Sequence, residues 1–271
     1  MELSFFDQLQ YSIFRSFLGR YVYKYMLYKE CDLPDIVFKD EELTITGTSY
    51  GDNNYSYLLT IGDTTLLIDP GHSHPYSELQ DVIVLLTHTH WDHSAGLYDL
   101  DIQECYSYGN IGTRLIPEQV MVFGNVTITV KPISTHTVCS VVFEMRYKDK
   151  LLLFTGDTLF NCGTGKFFEG HAEPLLQYIS ELKTMNNHHK QAWIFPGHDY
   201  LMDNALWCKE LDVDVPQMSI PFTLASQCLY SPFFNVDAHR TTLQDKYGLI
   251  IDELDGLNKL RKWKNEFSPG L

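Results

Sequence analysis

The chain has 271 residues, 44% hydrophobic and 20% charged, which fits a folded globular protein with a sizeable core and excludes a disordered or fibrous chain. A formal net charge of −15 argues against nucleic acid as a partner, since a phosphate backbone needs a basic surface, but leaves room for a small anion held by local cations. No apolar run reaches the roughly 20 residues a membrane-spanning helix needs, and the six cysteines form no CxxC pair and fit reduced thiols.

Residues 4–29 carry Phe5, Leu9, Phe14, Phe17, Leu18, Tyr21, Val22, Tyr25 and Met26, many at spacings of three and four, so an amphipathic helix is expected, ending before Pro34. Glu2 and Asp7 stand where a signal peptide would be basic, so the cytoplasm is the expected location, with a mitochondrial pool as the alternative. From about residue 41 the texture turns to short β-type runs: 43-LTITGT, 56-SYLLTI, 65-TLLID, 82-VIVLL, 126-VTITV, 138-VCSVVFEM, 151-LLLF and 193-WIF. Turn residues separate them, such as Gly51 to Asn54 and Asp69-Pro70-Gly71. A helix is predicted over residues 173–185, with Leu175, Leu176, Ile179 and Leu182 on one face, and two more over 203–211 and 253–267. Strands followed by covering helices predict an α+β protein, two sheets sandwiched between helices, with a smaller helical C-terminal region.

The chemistry concentrates in 87-Thr-His-Thr-His-Trp-Asp-His-93, directly after the apolar run Val82 to Leu86. A buried strand would deliver His88, His90, Asp92 and His93 into a loop at its C-terminal end, where sites of such folds gather. On a solvated loop these groups would be inert; buried, they require partners or a metal. His136, Asp157 and His198 each follow another strand-like run. Five histidines and two aspartates thus offer ligands for two divalent ions, zinc first, iron or manganese as alternatives. His72, His74, His171, His188, His189 and His239 are read as ordinary polar positions.

The segment 88-HTHWDH resembles the HxHxDH signature of the metallo-β-lactamase superfamily. The stretches 156-GDTLFNCGTGKFFEG, 196-PGHDYLMDNALWC and 219-SIPFTLASQCLYSPFF are similar to segments of glyoxalase II, and the resemblance runs from about residue 45 to 267. It implies a metallo-β-lactamase αββα sandwich over 41–198, a helical substrate-binding C-terminal domain over 199–271, and an N-terminal helical extension over 1–40. By the same resemblance His88, His90 and His136 hold one ion, Asp92, His93 and His198 the other, and Asp157 bridges them. Asp92 and Asp157 are then the catalytic carboxylates.

The implied reaction is hydrolysis of an S-2-hydroxyacylglutathione thioester, such as S-D-lactoylglutathione, to glutathione and a 2-hydroxy acid, D-lactate, with a hydroxide bridging the ions. The substrate is a small anion, and the resemblance assigns its binding to Lys166, Phe168, Tyr200, Arg261 and Lys264. Taken alone, Arg261 and Lys264 would read as a solvated helix face. Two departures stand out. Phe168 occupies a position where the family carries an aromatic hydroxyl, and Thr137-Val138-Cys139-Ser140 replaces a Thr-x-Gly-His pattern. The alternatives are a glutathione persulfide dioxygenase using one iron, or a non-catalytic binding protein on the same fold. The sequence leaves the oligomeric state open.

Overall fold

The computed structural model describes residues 31–267, apart from 33, 52, 189 and 190. The helix expected over residues 4–29 and the polar position His189 lie outside the described residues. Seven strands form the first sheet in chain order: β1 (Asp35–Lys39), β2 (Leu43–Tyr50), β3 (Asn54–Ile61), β4 (Thr64–Ile68), β5 (Val82–Leu85), β6 (Ile102–Ser107) and β7 (Thr113–Arg114). The second sheet holds β8 (Val120–Phe123), β9 (Val126–Pro132), β10 (Val141–Tyr147), β11 (Lys150–Gly156), β12 (Ala192–Pro196) and β13 (Phe222–Thr223), running in space from β13 back to β8. Strands β1 to β4 pair antiparallel and β4 to β7 parallel, while in the second sheet β11 with β12 is the parallel pair.

The β pattern begins earlier than residue 41. Asp35–Lys39 is an edge strand on β2, so the last residues of the expected helical extension belong to the sheet. Its pattern is mostly exposed, as an edge strand tolerates, and it lacks the apolar alternation that marked its neighbours. Strands β6, β7, β8 and β13 were also not read from the sequence.

Period-two alternation explains the layering. In β10, Val141, Phe143 and Met145 face the first sheet and pack with Leu43, Ile45, Leu59 and Ile128, while Val142 faces the opposite way with Leu151 and Leu153 of β11. On that outer face lie α2 (Ala172–His188), α3 (Leu201–Lys209), α4 (Leu224–Tyr230), α5 (Arg240–Tyr247) and α6 (Glu253–Glu266), after a one-turn α1 (Trp91–Ser94) near the first sheet. Leu175, Ile179 and Leu182 of α2 share one buried cluster with Trp207, Phe233, Leu257 and Leu260, so the C-terminal helices and the second sheet have a common core. Each fully buried aliphatic side chain contributes on the order of 1.5–3 kcal/mol. Helix α6 starts where the Asp252 carboxylate accepts from Asp255 N at 2.8 Å, and α4 where Thr223 Oγ1 accepts from Ser226 N at 3.1 Å. The outer face of the first sheet is covered by Tyr76 and Leu97 against Leu67, Val82 and Val84. Among the described residues no helix is long and apolar enough to cross a membrane.

Candidate metal centre

Strands β4, β5, β11 and β12 all end at one rim of the sandwich, and each passes a polar residue into it: Asp69, then His88 to His93, Asp157 and His198. The loop between β9 and β10 adds His136. Helix α1 turns the motif back so that His93 N bonds His90 O at 3.1 Å and Ser94 Oγ donates to the same carbonyl at 2.9 Å.

Two donor sets that share no residue result: His88, His90 and His136 form one, and Asp92, His93 and His198 the other; within each the donor atoms lie within 4.8 Å of one another, and Asp69, His88 and His93 form a third such group that overlaps both. In the first, His90 Nδ1 lies 3.1 Å from His88 Nε2 and 3.2 Å from His136 Nε2. In the second, Asp92 Oδ2 stands 3.5 Å from His93 Nε2 and 3.4 Å from His198 Nε2. Asp157 lies between them: Oδ2 is 3.4 Å from His136 Nε2, and Oδ1 is 3.3 Å from His93 Nε2 and 3.5 Å from His198 Nε2.

The outer nitrogens are held by groups that fix which nitrogen faces inward. The Lys166 carbonyl can only accept, so His136 Nδ1 donates to it at 2.8 Å and its Nε2 lone pair faces the set. Thr87 Oγ1 donates to Asp69 Oδ2 at 2.5 Å, leaving its oxygen to accept from His88 Nδ1 at 3.2 Å. His93 Nδ1 donates to Asp69 Oδ2 at 3.0 Å, and His198 Nδ1 meets the Tyr200 hydroxyl at 3.0 Å. Converging lone pairs repel unless a cation lies among them. Donors on a tetrahedral ion with bonds of about 2.0–2.1 Å stand about 3.3–3.4 Å apart, which matches both sets. His93 Nε2 and Asp157 Oδ1 are buried, and neither makes a hydrogen bond. The residues therefore fit divalent cations. Residue 197 is a glycine because a Cβ there would stand 2.6 Å from Asp157 Oδ1 and 2.7 Å from His93 Cε1.

Electrostatics separates the two sets. Burial, helped by neighbouring imidazoles, pushes His90 down to about 3 and His88 well below its ordinary value, and burial also lowers His136. These shifts favour the neutral rings, which can donate lone pairs. Burial also pulls on His93 and His198, but Asp92 and Asp157 outweigh it, raising His93 well above its usual value and His198 to about 9. Burial would raise both carboxyls, yet His93 and His198 hold Asp92 and Asp157 well below the usual carboxylate range.

The residues expected to bind substrate fall into two groups. The Phe168 ring stands 5.2 Å from His136 and 6.1 Å from His90, Lys166 supplies the carbonyl under His136, and Tyr200 stacks on His198 at 4.8 Å. Arg261 and Lys264 lie on α6. Arg261 is only 5% exposed and donates from Nη1 to the Thr164 carbonyl at 2.5 Å, in the loop between Asp157 and Lys166. Lys264 Nζ donates to the Asp203 carbonyl at 3.2 Å. Among the described residues neither cation lies in an ion pair with a carboxylate. Burial lowers Arg261 to about 9, and burial together with the Arg261 charge lowers Lys264 to about 8. Cys139 Sγ touches Thr89 Oγ1 at 3.4 Å and Thr137 Oγ1 at 3.3 Å, so the Thr137 to Ser140 departure rests directly on the metal-binding motif. His72, His74, His171 and His239 enter neither donor set.

Asp69, Tyr50 and Asn54 were not singled out from the sequence. Asp69 follows 65-TLLI at a strand exit, the same position that marked Asp157 and His198, but it was read only as a turn residue.

Residues 106–198 match the Metallo-beta-lactamase superfamily, a stretch containing His136, Asp157 and His198. A hydroxyacylglutathione hydrolase of Shewanella denitrificans is 28% identical over 268 residues, covering 83% of this chain and 100% of the relative. A hydroxyacylglutathione hydrolase-like protein of Gallus gallus is 29% identical, covering 80% of this chain and 87% of the relative. The crystal structure of a metallo-β-lactamase from Staphylococcus aureus matches with a TM-score of 0.57 at 16% identity, over 86% of this chain and 76% of that one. The chain thus carries a metallo-β-lactamase superfamily match over residues 106–198 and is similar over most of its length to hydroxyacylglutathione hydrolases.

Proposed function

We propose that the chain is a hydrolase of S-2-hydroxyacylglutathione thioesters, using two divalent ions, with zinc the first candidate. The observation that supports two ions over one is the split of Asp157, whose oxygens face different donor sets. His88, His90 and His136 would hold one ion, Asp92, His93 and His198 the other, and Asp157 both. Such ions supply a water ionised near neutral pH and a positive charge against the developing oxyanion.

The protein's own residues complete the site. Asp69, the Lys166 carbonyl and Tyr200 orient the imidazoles. The Phe168 ring walls the first donor set and limits water there. The thiolate leaving group needs no strong general acid, since ordinary thiols ionise near about 8.5. Residues 199–271 would supply the carrier side of the pocket. Arg261 and Lys264 support an anionic carrier: two adjacent cations, one buried and one half-buried, neither in an ion pair with a carboxylate among the described residues, suit a ligand that brings negative charge.

The test is one preparation assayed three ways: metal content, hydrolysis of S-D-lactoylglutathione, and hydrolysis of the same acyl group on N-acetylcysteamine, a carrier without carboxylates. Two ions per chain and a strong preference for the glutathione thioester are expected. Oxygen uptake with glutathione persulfide and a single bound iron would instead mark a dioxygenase, and neither activity would mark a binding protein.

A further inference from the structure

We infer that Asn54, at the tip of the β2–β3 hairpin, is a positioning residue that aims Asp92 and thereby sets the affinity of the Asp92–His93–His198 set for its ion. This inference rests on the two-ion reading above. Tyr50 and Asn54 are the last pair of the hairpin, facing each other across the turn. The Tyr50 hydroxyl lies 3.0 Å from the Asp69 carbonyl and 3.1 Å from the Asp92 carbonyl, and accepts from Gly71 N at 3.1 Å. It thus pins the backbone on which Asp92 sits.

Asn54 governs the side chain. It is 2% exposed, and its Nδ2 donates to Asp92 Oδ2 at 3.0 Å. That same oxygen faces His93 and His198. An amide is a neutral donor: it fixes the carboxylate rotamer without adding a charge that would oppose a cation. Its Nδ2 also lies 3.5 Å from His198 Nε2, and the Asn54 backbone bridges to His198, flanked by Tyr55 N to Gly197 O at 2.8 Å. One residue therefore touches two of the three donors of this set. Among the described residues it makes no hydrogen bond to His88, His90 or His136.

This asymmetry gives the test. Metal-free protein is titrated with zinc against a chromophoric chelator, and the two binding steps are resolved. Asn54→Ala removes the amide and keeps the backbone bridge, so one step should weaken about 10–100-fold while the other stays at the wild-type value. The unchanged step doubles as a check that the fold is intact. Asn54→Leu, similar in size but without a donor, should behave alike and covers the case in which the alanine variant fails to fold. Adding Asn54→Ala to His90→Ala, which cripples the first set, should still weaken the remaining ion. Equal weakening of both steps, or no weakening, overturns the role of Asn54. A wild-type chain that takes up fewer than two ions overturns the two-ion reading itself, and the inference with it.

Discussion

Asp69 Oδ2 lies 3.0 Å from His93 Nδ1, and this contact decides which nitrogen of His93 faces the donor set. Asp69 is committed on its other sides, accepting from Thr87 N at 2.7 Å and Thr87 Oγ1 at 2.5 Å. These contacts make it a support for His93. Its backbone has φ of 52°, a left-handed conformation that asparagine also tolerates. Asp69→Asn should keep the turn and the volume but remove a pure acceptor. Metal affinity should fall about 10–100-fold, read by chelator competition, with the β-sheet circular dichroism unchanged. Wild-type affinity in this variant would show that the contact does not set the tautomer.

Asp157→Asn tests the divided carboxylate. The amide keeps the shape but turns one oxygen into a donor, which must face either His136 or the His93–His198 pair. Bound metal should fall from two ions towards one, and turnover by more than about 100-fold, beyond the cost of losing a supporting contact. Elemental analysis of the dialysed variant checks the first, and thioester hydrolysis the second.

Much of this centre was legible because each donor repeats one local pattern. An apolar strand ends and a polar residue follows, as at Leu86 before His88 and at Phe154 before Asp157. Chemistry at a strand exit follows from burial of the strand itself. The supports were harder to read. Asn54 and Asp92 are 38 residues apart, and a contact of that kind exists only once β3 closes against the 196–198 segment. The burial of Arg261 was hard to read for another reason. As a charged residue it suggested a solvated face, yet Leu257, Leu260 and Arg261 occupy one buried stripe at helical spacing. A cation inside an apolar stripe was the available signal. The edge strand at Asp35–Lys39 left little pattern because most of its residues are exposed.

Lys264 predicts a pH limb. Burial favours its neutral amine, so its pKa drops to about 8, and an anionic carrier needs the charged form. Protonation is nearly complete at pH 7 and is lost as pH rises through this value. kcat/KM for the glutathione thioester should therefore fall about ten-fold between pH 7 and 9. Lys264→Met should show a raised KM at pH 7 and no further loss from this source above it. A variant that keeps the wild-type limb would remove Lys264 from substrate binding.

Arg261 offers the sharpest separation of binding from stability. It is buried without a carboxylate partner, and its charge is one of the causes that lower Lys264. Arg261→Gln keeps a donor within the same region for the Thr164 carbonyl but removes the charge. Losing a charge-assisted contact to substrate, at about 1.5–3 kcal/mol, should raise KM about 10- to 150-fold. The melting temperature should hold or rise, because an uncompensated buried cation is itself costly. With the neighbouring charge gone, the Lys264 limb should move to higher pH. The melting temperature and the limb separate this from simple damage to the fold, which would lower the melting temperature and leave the limb in place. An unchanged KM would mean that the α6 cations serve the protein's packing and that the carrier binds elsewhere.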